Sequence, residues 1–272
     1  MKDVLIGAIM GVEELLGDGA DRLRALGLNA CQVKCWDDAL YTAENARILR
    51  EKTQGIALTS LWAGWPGPKA WNFTEGPETL GLVPEAYREE RVASLKKGLA
   101  FADVLDIQDV VTHIGFIPEN PSSEAYKGFI ACMQELIAFC RAHDMHFGFE
   151  TGQETPITLL RTIQDLGDEG DLWINLDPAN LLMYGKANPV DAVGIYGRYI
   201  RSVHVKDGCY PTDGASLGVE TPIGEGMVHF EKLIPALKAQ GFEGPYIIER
   251  EISGPEQMRD IALAREKILS LL

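Results

Sequence analysis

Short apolar runs alternate along the chain with longer stretches whose apolar residues recur at helical spacing. The short runs predict strands over 4–10, 30–36, 56–62, 109–115, 146–151, 171–177, 200–206 and 245–250. The longer stretches predict helices over 13–26, 38–53, 85–105, 123–143, 156–167, 189–198, 229–240 and 255–271. The end signals agree with these spans. Thr155-Pro156 and Asn188-Pro189 pair a capping side chain with a proline in the first turn, where its missing N–H is not needed. Gly27, Gly167 and Gly241 stand where helices should stop.

Several strands, VLIGAIM and IALTSLW among them, are almost continuously apolar, as expected of parallel strands covered on both faces. Eight strand–helix units without a break in composition predict an α/β fold, one (β/α)8 barrel domain over residues 1–272. A doubly wound sheet is the rival. Its glycine-rich first turn is missing, since Ile9-Met10-Gly11-Val12-Glu13 does not fit G-x-G-x-x-G. Two connections are long: 63–84, with Trp65, Trp71 and Phe73, and 207–228. In a barrel such loops follow the carboxyl ends of strands, where active sites form.

Composition narrows the function. Forty acidic against 25 basic residues give a net charge of −15, which argues against a surface that tracks nucleic-acid phosphates. Hydrophobic residues at 46% and charged residues at 24% are ordinary for a globular chain. No apolar run nears the ~18 residues of a membrane span, so no membrane partner is expected. The start, MKDVLIGAIMGVEELLG, lacks a basic n-region and a small-residue cleavage site, and reads as mature protein in the cytoplasm. The five cysteines (31, 35, 132, 140, 209) form no C-x-x-C pair. Cys31 and Cys35, four residues apart in a strand, stand about 13 Å apart, too far to bridge. Reduced thiols are expected.

The residues that close the strands carry the chemistry. His113 ends the fourth strand, Glu150 the fifth, Asp177 the sixth, His204 the seventh and Glu249 the eighth. An unpaired buried carboxylate costs several kcal/mol. Three of them converging with an imidazole need a cation, and a divalent metal held by Glu150, Asp177, His204 and Glu249 supplies it. Carboxylates at such a site also suit proton transfer beside a carbonyl polarised by the metal. His113 and Lys206 are placed to contact substrate oxygens and stabilise enediolate charge. Trp62 and Trp65 read equally as a stacking platform or as loop packing. Glu225, between Gly224 and Gly226, reads as substrate contact or as a loop shaped by its glycines. His143 and His146 fall at the opposite rim, and His229 at a helix start.

The ordered set ETGQETP, NLDPANL, HVKDG, PIGEGMVHF and IIERE resembles the sugar phosphate isomerase/epimerase group, the xylose isomerase-like TIM barrels. The resemblance implies the same Glu150, Asp177, His204 and Glu249 metal site, with Mn2+ foremost and Mg2+, Co2+ or Zn2+ as alternatives. It also implies that Glu150 and Glu249 act as opposed acid and base. Against the ketose 3-epimerase branch the chain departs at three places. Asn180 stands where a histidine is usual, Tyr210 where an arginine is usual, and Glu154 is the nearest counterpart of a second substrate-binding glutamate. The apurinic-site endonuclease branch needs further histidines, and 218–222 has none.

The expected activity is a metal-dependent sugar isomerase or epimerase working through a metal-bound enediolate. The alternative is a lyase or deglycosidase that abstracts the same proton from a 3-keto-glycoside and expels the aglycone. A non-enzymatic, metal-stabilised barrel is the third reading, against which the intact Glu150 and Glu249 argue. The expected partner is an unphosphorylated sugar or glycoside; a homo-oligomer is suggested by the family resemblance alone.

Overall fold

The apolar runs become β1 (Ile6–Gly11), β2 (Ala30–Cys35), β3 (Ala57–Ala63), β4 (Asp109–Thr112), β5 (His146–Glu150), β6 (Leu172–Leu176), β7 (Ile200–Val205) and β8 (Tyr246–Ile248) in the computed structural model, which describes residues 4–272. The first three residues, where the mature-start reading begins, lie outside the described residues. Every barrel strand runs parallel to its sequence neighbours, and β8 pairs β1 through Ile6↔Tyr246 to close the ring. The result is a (β/α)8 TIM barrel.

Helices pack outside the ring through the faces the periodicity picked out. Leu95 and Leu99 of the helix Arg88–Val104, and Phe129, Met133 and Leu136 of Glu124–Ala142, are fully buried. Each such side chain contributes roughly 1.5–3 kcal/mol by leaving water. Ser123, Thr155 and Asn188 cap their helices as side-chain acceptors, and Gly167 ends Pro156–Leu166 in a left-handed conformation (φ 72°).

The expected helix over 13–26 is two, Val12–Leu16 and Gly19–Ala25. The chain turns at Gly17 and Asp18, and Gly19 packs against the Glu14 backbone too closely for a side chain. The expected helix over 38–53 begins later, at Ala43 behind the Thr42 cap. Three elements were not anticipated: helices Gly76–Thr79 and Pro178–Met183, and an antiparallel ribbon pairing Asp207–Gly208 with Glu220–Thr221. The five cysteines are free thiols. No described helix is long and apolar enough to cross a membrane.

Candidate active site

Four of the strand-closing residues meet at the carboxyl end of the barrel. Nδ1 of His204 lies 3.4 Å from Glu150 Oε1, 3.4 Å from Asp177 Oδ2 and 3.2 Å from Glu249 Oε2. One ligand atom from each of the four lies within 4.8 Å of all the others. Glu150, Asp177 and His204 are buried, and Glu249 nearly so.

Local structure aims each group. Asp177 caps the helix Pro178–Met183, with Oδ1 accepting from the Asn180 N–H at 2.9 Å, which leaves Oδ2 for the cluster. Thr151 Oγ1 holds the Asp177 backbone from both sides, donating to its carbonyl and accepting from its N–H at 2.9 Å each. Glu150 is held at both oxygens. His113 Nε2 stands 3.2 Å from Oε1, and Trp62 Nε1 donates to Oε2. On the far side of the imidazole, His204 Nε2 lies 2.8 Å from Gln32 Oε1.

Charge is out of balance. Burial alone would pull the His204 imidazolium down, but Glu150 and Glu249 outweigh it and raise its pKa to about 10. Burial pushes Asp177 up despite Lys206. Burial also pushes on Glu249, but Lys206 and His204 overcome it and hold that carboxyl well below its usual range. Three carboxylates thus converge on one imidazole and one lysine. Hard oxygen donors plus one nitrogen, close together and short of positive charge, fit a divalent cation.

Lys206 is already committed. Its ammonium sits 2.8 Å from Glu251, 3.2 Å from Glu249 and 3.6 Å from Asp177, and donates to Asn180 Oδ1 at 3.3 Å. It lies behind the cavity wall, not on it. Glu154 is likewise off the wall. It is 3% exposed with Oε2 unpartnered, and burial pushes its pKa up to about 7. The structure brings Trp62, His113, Asn180, Glu150 and Glu249 to the wall of one cavity of about 610 Å3. Trp36 and Trp71 add to that wall, with ring centroids 4.7 Å from Trp62 and 5.2 Å from His113 respectively. Trp65 is fully buried beneath them. It donates to the His113 carbonyl and is covered by the Arg91 guanidinium at 4.2 Å, so it supports the loop.

The glycines around Glu225 have a backbone reason. The buried Asp207 carboxylate accepts N–H bonds from Gly208, Gly224, Gly226 and Val228 at 2.8–3.2 Å, folding the long loop over itself. A β-carbon at Gly226 would collide with that carboxylate, while Glu225 itself is exposed. His143 and His146 lie at the far rim, where His146 pairs with Asp109. His229 is exposed at the start of the helix Phe230–Ala239 and makes no side-chain cap.

Residue-level reading passed over Gln32, Asn175, Trp36 and Lys34. The signal was available for the first two, as single uncharged polar residues flanked on both sides by apolar ones in the strands ACQVKC and LWINL.

Residues 20–269 match a family described as xylose isomerase-like TIM barrel. The chain is 33% identical to a solved xylose isomerase domain protein from Planctomyces limnophilus, with a TM-score of 0.91 over 100% of this chain and 98% of that one. A solved D-tagatose 3-epimerase-like protein shares the fold at 21% identity, with a TM-score of 0.73 over 98% and 97% of the two chains. An uncharacterized protein of Methanocaldococcus jannaschii is 26% identical over 193 residues, 67% of this chain; the match spans 62% of that relative's length.

Proposed function

The chain belongs to the xylose isomerase-like TIM-barrel family, and from that premise we propose that it is a divalent-metal-dependent sugar isomerase or epimerase. One observation carries the proposal. Glu150, Asp177, His204 and Glu249 present four ligand atoms within 4.8 Å of one another, and Glu150 and Glu249 of the four line a cavity large enough for a small molecule. These four would hold the ion, Mn2+ first, with Mg2+, Co2+ or Zn2+ as alternatives. When bound, it supplies the Lewis acidity that makes a C–H beside a carbonyl acidic enough to remove.

The chain's own residues do the rest. Glu150 at the end of β5 and Glu249 just past β8 reach the cavity with two strands between them, so that one takes the proton and the other returns it on the second face of the sugar. Trp62 and His113 orient Glu150 through its two oxygens, and Lys206 keeps Glu249 anionic. His113 and Asn180 line the cavity and face the substrate's oxygens. Lys206 acts through Glu249 and the Asn180 amide. Indoles of Trp36, Trp62 and Trp71 give the sugar a stacking wall.

A second reading has one observation in its favour. About 610 Å3 exceeds what a monosaccharide of about a dozen heavy atoms fills, since water alone occupies ~30 Å3 per molecule. The space beside Trp36 and Trp71 suits an aglycone, as a lyase acting on a 3-keto-glycoside requires. Product analysis after incubation with Mn2+ separates the two. Epimeric or isomeric sugars support the first reading, and a released aglycone supports the second. No turnover by a metal-loaded protein across both substrate sets would count against each.

A further inference from the structure

We propose that Gln32 fixes which ring nitrogen of His204 keeps its hydrogen when a cation takes the place of the other one, holding it on Nε2 so that Nδ1 gives its lone pair to the site formed by the carboxylate cluster. The inference rests on reading that cluster as a metal site, and it concerns residues that meet the Nε2 side of the imidazole, away from the carboxylates at Nδ1.

Gln32 on β2 is fully buried and meets His204 on β7 across the barrel interior, 172 positions away in sequence. The Gln32 amide nitrogen donates to Ser60 Oγ at 2.8 Å, and Ser60 is its register partner on β3. With the amide in that orientation Oε1 faces the imidazole, 2.8 Å from Nε2. Only a hydrogen on Nε2 makes that contact a bond. A bare Nε2 would set two lone pairs against each other in a dry site, at the cost of an unsatisfied buried acceptor. Asn175 completes the arrangement. Its amide nitrogen is placed 2.8 Å from the same Nε2 while its Oδ1 has no partner. Amide nitrogen and oxygen have the same outline. A half-turn of Asn175 would offer Oδ1 to the Nε2 hydrogen as a second acceptor and move its amide nitrogen to the position that now lacks a partner.

Nδ1, 3.2–3.4 Å from three carboxylates, would otherwise draw the hydrogen to itself and be lost as a ligand. The Ser60–Gln32 pair opposes that from the other end of the ring. Gln32 is thus a positioning residue that acts through His204. Removal of such an outer partner typically weakens metal binding 10–100-fold.

The test is Mn2+ titration calorimetry on the full chain, comparing wild type, Gln32→Met and Gln32→Glu, with the metal-free melting temperature of each. Met keeps length and flexibility without an acceptor, and Glu keeps the acceptor. Gln32→Met is expected to weaken Mn2+ binding about 10–100-fold while Gln32→Glu stays within about threefold of wild type. Nitrogen-15 spectra of the Zn2+-loaded wild type should show His204 protonated at Nε2. Should Gln32→Met not fold, Ser60→Ala, which only frees the amide to turn, is expected to weaken Mn2+ binding by a smaller factor. Wild-type affinity in Gln32→Met, or a hydrogen on Nδ1 in the loaded wild type, would overturn the inference and leave the metal site standing. An equal loss in the Met and Glu variants that tracks lowered metal-free melting would mark Gln32 as packing only. A wild type that binds no Mn2+ would remove the metal reading, and this inference with it.

Discussion

The barrel carries a histidine–carboxylate cluster at each end, and the two are built from similar residues to different effect. At the amino-terminal rim, His146 Nδ1 lies 2.9 Å from Asp109, and Arg201 reaches the same carboxylate at 3.3 Å. Nearby, Arg141 holds Asp171 at 2.7 Å. These rim groups are about a third exposed or have an arginine apiece. At the carboxyl end, Glu150, Asp177 and Glu249 crowd around one imidazole with 0–13% of each side chain exposed, and among the described residues Lys206 is the one lysine or arginine paired with them. Water and arginine neutralise the rim. The floor is left short of positive charge, which makes it a place for a cation. Residue type does not distinguish site from scaffold here; burial and charge balance do.

The sharpest way to break this contrast is at the proposed base. Glu249→Gln should lower turnover about 10²–10⁴-fold, the usual range for losing general acid–base catalysis, with the melting temperature kept. Full turnover by a metal-loaded Glu249→Gln protein would end the base assignment.

Glu154 is buried and uncompensated like the floor, yet lies off the cavity, so its effect should fall on stability. Its folded pKa of about 7 stands above the unfolded value near 4.3. Ionisation therefore costs stability: nothing is lost below the unfolded value, and the cost grows until it is complete above the folded one. Glu154→Gln should be neutral near pH 4 and stabilising by about 3 kcal/mol at pH 8. Urea melts at the two pH values measure it, and a pH-independent difference would refute it.

Asp207 is buried but matched by four backbone N–H groups. Asp207→Asn should cost about 2 kcal/mol by weakening charge-assisted bonds, and should raise protease sensitivity within 208–228. An unchanged melt and digest would show that the loop is held elsewhere.

The smallest effect belongs to the rim. Burial pushes on Asp171, but Arg141 outweighs it and holds the carboxyl below its ordinary value. The pair's contribution is present above the unfolded pKa and fades as pH falls through the folded one. Asp171→Asn should cost about 0.5–1 kcal/mol at pH 7 and nothing in strong acid. A loss of several kcal/mol would place the rim on a level with the floor.

Much of this was legible in the chain itself. All eight strands lie within the expected runs or one residue beyond them, because two-sided burial writes continuous apolar stretches. The four clustered residues stood out as the polar closures of such runs. What escaped depends on distance in sequence. Gln32 and Asn175 looked like isolated polar residues because their common partner, His204, lies far along the chain. Lys206 looked like a substrate contact, since its commitment to Glu251 appears only once β7 and the segment after β8 are side by side. Glu154, placed by analogy with a family position, sits four residues past Glu150, on the buried side of the loop that follows β5. The split first helix turned on Gly19, whose close approach to Glu14 has no signature in hydrophobic spacing.

The central claim is that the floor holds a divalent cation and the rim does not. Metal content per chain by plasma mass spectrometry, on wild type, Glu150→Ala, His204→Ala and the rim variant His146→Ala, tests it most directly. The account predicts about one Mn, Mg, Co or Zn per chain in wild type and His146→Ala, lost in Glu150→Ala and His204→Ala while all four remain folded. A wild type that takes up no metal after reconstitution, or floor variants that keep it, would contradict the account.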